Sequence, residues 1–263
     1  MVVSQPSEPW LALAIGNSRW HCAAFNGGEL QAAWERPPRQ EPIGDRLPAD
    51  FRLATWQEHR EAPPVYLASV VPAQTVLWLG YPNLSELTLA DVPLGGIYPT
   101  LGLDRALALY GAGETYGWPI LVIDSGTALT LTGGDRQKKL VGGAILPGLS
   151  VQLRSLQRET AALGAIALPN DLPPLWSLTT ASAIASGTIH SLLAGLGLFI
   201  TDWWQQFPES PVVMTGGDGA QLIHYCQNLE ATATSSVPLT EMAARLQLDP
   251  LLIFRGIQQV RGL

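Results

Sequence analysis

The sequence predicts an α/β protein made of two similar halves, and three observations carry that reading. Apolar runs of strand length alternate with helix-forming stretches. One strand–turn–strand pattern occurs twice, with Gly16 and Gly126 standing 110 positions apart. The chain has 263 residues, 47% of them hydrophobic, enough for two domains with separate cores.

The first copy opens with residues 10–15 (WLALAI), an apolar run suited to a buried strand, and Gly16-Asn17-Ser18 then supplies turn chemistry. A second strand is expected over residues 19–25. Asn26-Gly27-Gly28 is a hairpin signal that leads into a third strand over 29–34. Residues 36–64 are interrupted by Pro37, Pro38, Pro42, Pro48, Pro63 and Pro64, which predicts a loop holding one amphipathic helix near 50–60. Residues 65–70 form another apolar strand. Gly102-Leu103-Asp104-Arg105 precedes a stretch of strong helix propensity, and a boundary near 112–117 divides the chain into domains of residues 1–113 and 114–263.

The second copy reads as a strand over 120–123, a polar turn Asp124-Ser125-Gly126-Thr127, a returning strand over 128–132 and a hairpin at Gly133-Gly134. Aligning the two turn glycines sets Ala14 opposite Asp124. Residues 141–148 (VGGAILPG), where Gly142, Gly143 and Gly148 allow close backbone approach, lead to a helix over 149–163. A long helix over 179–204 begins with the small residues Ala181, Ser182, Ala183, Ala185, Ser186 and Gly187, which suit close packing on its own sheet or on a second copy of the chain. A strand over 212–214 runs into Thr215-Gly216-Gly217-Asp218-Gly219 and a helix over 220–227, a turn able to face a nucleotide.

Composition excludes several functions. Lys+Arg total 15 against 22 Asp+Glu, a formal net charge of -7, which argues against nucleic acid as a partner. The only lysines are Lys138 and Lys139, so no glycine loop ends in the lysine that a Walker A loop or protein kinase requires. Phosphates would be held by amides, hydroxyls, arginine or metal. The four histidines show no paired zinc spacing, and Cys22 and Cys226 are too few for a disulfide framework. Residues 1–9 lack the basic and apolar regions of a secretory signal, and residues 184–200 carry too many polar groups for a membrane span. A cytoplasmic protein without membrane attachment is expected.

Three places could carry chemistry. The two polar hairpins could clasp a polyphosphate through backbone N–H groups and hydroxyls. Asp124 follows a strand at the end where a carboxylate could hold a cation or position a phosphate, or could cap the turn. Asp104 could cap its helix, or accept a hydroxyl proton while Arg105 clamps a carboxylate or phosphate, with Tyr98 lining the same pocket.

Taken together, A-I-G-N-S (Ala14, Ile15, Gly16, Asn17, Ser18), G-L-D-R (Gly102, Leu103, Asp104, Arg105), I-D-S-G-T-A from Ile123, G-G-A-I-L-P-G from Gly142 and T-G-G-D from Thr215 resemble type III pantothenate kinase in order and spacing. The resemblance implies two ribonuclease-H-like domains of the acetate and sugar kinase, Hsp70 and actin superfamily, with a nucleotide cleft between them, in a homodimer. It implies transfer of a phosphoryl group from Mg-ATP to pantothenate, the first step of coenzyme A synthesis, with potassium or ammonium as activating cation. By motif, Ala14, Ile15, Gly16, Asn17, Ser18, Arg19, Trp20, His21 and Thr127 fall on the nucleotide site and Asp124 on the monovalent-cation site. Tyr98, Gly102, Leu103, Asp104, Arg105 and Thr180 fall on the pantothenate site, with Asp104 the proton acceptor.

One position departs from the family pattern. Its first phosphate loop normally begins with an Asp expected to help hold Mg2+, and Ala14 stands there, with Ser18 in place of Thr. Serine keeps the hydroxyl, whereas alanine removes the carboxylate. The residues thus leave two readings: an active kinase, favoured by Asp104, and a catalytically weak nucleotide-binding member acting as an accessory factor, favoured by Ala14.

Overall fold

The computed structural model describes residues 8–53, 56, 62–159, 166–229 and 239–262. The chain falls into two units, Met1–Gly111 with Leu252–Leu263, and Ala112–Leu251.

In the first unit β1 (Pro9–Ile15), β2 (Trp20–Asn26) and β3 (Glu29–Arg36) form an antiparallel meander. β4 (Val65–Ser69) and β5 (Leu84–Glu86) add in parallel beyond β1, giving the order β3-β2-β1-β4-β5. β1 is the central strand, which is why its run is apolar on both faces. Leu11, Leu13 and Ile15 face a core with Trp20, Phe51 and Trp78. On the other face Trp10 stacks on Phe25 at 4.2 Å and the Arg261 guanidinium covers it at 4.6 Å. A four-residue helix α1 (Pro72–Thr75) precedes β5, and α2 (Leu103–Tyr116) follows it. Of the helix expected near 50–60, the described residues show a 3-10 turn at Ala49–Phe51, and most of the remainder lies outside them.

The C-terminal helix, Leu252–Arg261, packs on β1 and β4. It meets α2 through glycines: a Cβ on Gly256 would overlap the Leu107 backbone, and one on Gly111 would overlap the backbone of Leu252 and Gly256. This corrects the expected division at 113/114, because the last helix belongs to the first unit. Its amphipathic pattern shows an apolar face without revealing which sheet receives it.

The second unit repeats the topology. β6 (Ile120–Ser125), β7 (Ala128–Gly134) and β8 (Leu140–Pro147) are an antiparallel meander, and β9 (Val212–Thr215) and β10 (Leu246–Leu248) add in parallel beyond β6. Its helices are α3 (Leu149–Glu159), α4 (Thr180–Gln206), α5 (Gly219–Asn228) and α6 (Leu239–Arg245). Residues 160–163 of the expected third helix lie outside the described residues. Ile189, Leu193, Leu196 and Trp203 of α4 share a core with Leu121, Ile123, Leu129 and Leu131. Thr179 caps α4, its Oγ1 accepting from the Ser182 N–H at 3.3 Å. The helix is long and apolar enough to cross a membrane by composition, and 44% of its most apolar window is buried within the fold.

The hairpin expected at Gly133-Gly134 lies further on. Both glycines are inside β7, where the Trp203 ring occupies the space that a Cβ on Gly133 would need. The turn is made by residues 135–139: the Asp135 carboxylate accepts from the Gln137 and Lys139 N–H groups at 2.8 and 2.9 Å, and Lys138 has φ 58°. Both lysines therefore sit at this turn, and Lys138 Nζ pairs with Glu114 at 2.6 Å.

Candidate functional site

The two first hairpins are structural counterparts. The β1–β2 ladder ends at Ile15↔Trp20, and the Gly16 N–H donates to Arg19 O at 3.0 Å to close the turn. The β6–β7 ladder ends at Ser125↔Leu129, and the Gly126 N–H donates to Ala128 O at 3.0 Å. Ala14 and Asp124 each stand one residue before the last ladder pair of a central strand, so the alignment of the two copies holds in space. Asn17, Ser18 and Arg19 are exposed and His21 is half-buried. Ile15 and Trp20 are turned into the core, Trp20 against Phe51 and Trp78 with its indole fully buried. At Ile15 and Trp20 only backbone groups remain for a ligand. Burial, opposed by Glu35 and reinforced by Arg19, lowers the His21 pKa below its usual value.

At the start of α2, the Asp104 carboxylate folds back over Gly102 and accepts the Arg105 N–H at 2.8 Å. A Cβ at Gly102 would overlap Asp104 Oδ1, so glycine is what leaves the carboxylate its place. Arg105 is 8% exposed, and its Nη1 donates to the Tyr98 hydroxyl at 3.0 Å. Tyr98, Gly102, Asp104 and Arg105 are thus brought together, while Leu103 is buried. A carboxylate at a helix start can accept a hydroxyl proton, and a guanidinium can hold an acidic group.

In the second unit three glycines shape the turn after β6. The Gly148 N–H donates to Thr127 O at 2.9 Å, and a Cβ there would overlap Gly126 O. Gly216, at φ 87°, takes a conformation that favours glycine, and Asp124 Oδ1 and Ser125 O both lie 2.5 Å from where its Cβ would be. Asp218 N–H donates to Ser125 O at 3.0 Å. The Asp218 carboxyl is raised above its usual pKa by burial, offset by hydrogen bonds from the Ser150 amide and hydroxyl and by Arg154. Thr127 is exposed in the turn. Thr180, at the start of α4, lines an open depression of about 910 Å³ with Gln152, Thr179, Thr188 and Ser191.

Among the described residues no group of three or more His, Cys, Asp or Glu gathers as a metal site. The oxygens of Asp124 and Ser125 converging over Gly216 are hard donors that fit potassium, ammonium or Mg2+ better than a transition metal. The first turn has no carboxylate at Ala14 to hold Mg2+ directly. Glu35 and Ser150 escaped the sequence reading because their partners, Arg19 with His21 and Asp218, lie far along the chain.

Two units of this strand order, each with a polar turn after its central strand, make a two-domain actin-like fold. Solved structures agree. The chain is similar to a protein of the Baf family of transcriptional activators from Campylobacter jejuni (TM-score 0.60, 20% identity, 96% of this chain and 97% of that one). It is also similar to ethanolamine utilization protein EutJ from Carboxydothermus hydrogenoformans (TM-score 0.54, 13% identity, 99% and 92%). Residues 85–200 match the type III pantothenate kinase family model. Type III pantothenate kinases from Nostoc sp. and Synechococcus elongatus are each 44% identical, covering 95% of this chain and 94% and 95% of theirs. The chain belongs to the type III pantothenate kinase family.

Proposed function

We propose that the protein phosphorylates pantothenate with ATP, the entry step of coenzyme A synthesis. Within this family, the observation that carries the reading is the turn at Gly102, where the Asp104 carboxylate folds back over the glycine onto the Arg105 N–H and the guanidinium of buried Arg105 donates to Tyr98. Asp104 accepts the proton of the pantothenate hydroxyl. Arg105, oriented by Tyr98, holds the pantothenate carboxylate, and Gly102, Leu103 and Thr180 complete the substrate site. Residues 14–21 and Thr127 hold the nucleotide, the core-facing ones through their backbone. Asp124 takes the monovalent cation, which supplies positive charge next to the phosphates. Phosphoryl transfer passes through a loose transition state, so alignment and charge neutralisation account for most of the acceleration.

The enzyme acts as a cytoplasmic homodimer on Mg-ATP and pantothenate, without nucleic acid or membrane. Exposed Leu175, Trp176, Leu178, Leu198 and Phe199 on and before α4 support self-association through this helix. ADP release should depend on pantothenate and rise in potassium over sodium, and Asp104→Asn should lower turnover about 10²-fold or more with the fold intact. Ala14 favours the second reading, a nucleotide-binding accessory protein. ATP binding without pantothenate-dependent turnover would select that reading.

A further inference from the structure

The ladder registers place Glu35, His21, Ala14 and Ala68 in one row across β3, β2, β1 and β4, all on the same sheet face. The corresponding row of the second unit is Ile145, Thr130, Asp124 and Thr215. One row thus has its acid on the central strand. The other has a methyl group there and its acid two strands away, on β3.

That displaced acid is engaged. Glu35 makes a short ion pair with Arg19 and stands 3.5 Å from His21 Nδ1. Arg19 is the single cation among residues 16–19, and its carbonyl closes the turn by accepting from Gly16. Its backbone is therefore fixed in the loop while its guanidinium leans away over β2 toward β3. The Arg19 side chain is 64% exposed and that of Glu35 45%, so the pair is held in water, where such pairs are weak and exchangeable. A polyphosphate at the Gly16-Asn17-Ser18 turn brings several negative charges to a row with no central carboxylate to recruit a metal ion. A guanidinium satisfies two phosphate oxygens at once.

We propose that Arg19 is the phosphate-binding cation of the first loop, and that Glu35 is its resting counter-ion, exchanged for phosphate oxygens when nucleotide binds. In this chain an arginine in the loop provides part of the charge neutralisation that a metal-recruiting acid at position 14 would otherwise direct. The inference rests on the first loop being a nucleotide site.

The test is calorimetric titration of the full-length protein, with Arg19→Gln and Glu35→Gln beside it, using ATP, ADP and adenosine, with and without Mg2+. Arg19→Gln should weaken ATP about ten- to a hundredfold and leave adenosine unchanged. Glu35→Gln should tighten ATP, because it removes the competing anion. If the unaltered protein binds ATP and Arg19→Gln binds it equally well, the role of Arg19 is refuted and the nucleotide site stands. Equal weakening by both variants would also refute it, since that marks an ion pair that only braces the hairpin. Failure of the unaltered protein to bind any nucleotide would overturn the loop assignment and this inference together.

Discussion

Replacing Gly102 with alanine tests whether the position of the Asp104 carboxylate, as distinct from its presence, matters for turnover. A methyl group at residue 102 would overlap Asp104 Oδ1, and its next neighbours, Asp104 Cγ and Arg105 Cδ, lie at 3.6 and 3.8 Å. The clash is therefore with the mobile end of one side chain and with no backbone atom. Relief requires rotating the carboxylate away and giving up its hydrogen bond from the Arg105 N–H, a loss of about 0.5–1.5 kcal/mol. Alanine restricts the unfolded chain and returns about 0.4–1 kcal/mol. Net stability should change by no more than about 1 kcal/mol, or a few degrees in Tm. In the proposed role of Asp104, displacing the carboxylate takes it out of line with the substrate hydroxyl, and a misplacement of about 1 Å costs on the order of 10²-fold in rate. Thermal denaturation and steady-state ADP release, read together, should show kcat falling about 10²-fold with Tm nearly constant. In an Asp104→Asn background the same substitution should have little further effect, because the two act through one group. A Gly102→Ala protein with unaltered kcat would refute the argument.

Other outcomes follow from the same geometry. Gly148→Ala forces a Cβ into the carbonyls of Gly126 and Thr127, which are backbone and cannot rotate away; denaturant titration should show a loss of about 1–3 kcal/mol or more, with ATP affinity falling in parallel. Burial pushes the Cys22 and Cys226 thiols up to about 12, so a thiol reagent at pH 8 should label neither until the protein is unfolded. His21 is lowered from 6.5 in the folded state, so as pH falls below that value the unfolded chain takes up the proton first. The stability present above 6.5 is lost as pH falls toward the folded value, and His21→Gln should flatten that part of the pH–stability curve in urea titrations.

The sheets were readable from the sequence because a buried central strand needs an apolar run and a hairpin needs turn residues. WLALAI and ILVI each met both conditions, and their repetition disclosed the shared topology. Local signals misled where a distant residue decided the outcome. Gly133 and Gly134 resemble a turn, but Gly133 is required by Trp203, seventy residues on. The placement of the C-terminal helix depends on glycines 111 and 256, whose meeting no local pattern announces. Around the candidate site, Asp104, Arg105 and Asp124 were legible because their motifs are contiguous. Glu35 and Ser150 were not, since cross-strand and interhelix partners leave no spacing in the chain. The Trp20 side chain faces inward for a reason periodicity does contain: it alternates with His21 across the pleat.

The turn that holds both lysines has a practical consequence. Gly134 pairs with Ile120 and Thr130 with Asp124, so residues 135–139 lie at the opposite end of the sheet from the Asp124 turn, about 13 Å away along β6 at the usual rise per residue. Lys138 is engaged by Glu114, which leaves exposed Lys139 as the more available amine. A dye or linker coupled to Lys139 would therefore sit on this hairpin, at the end of the second unit's sheet away from Asp124.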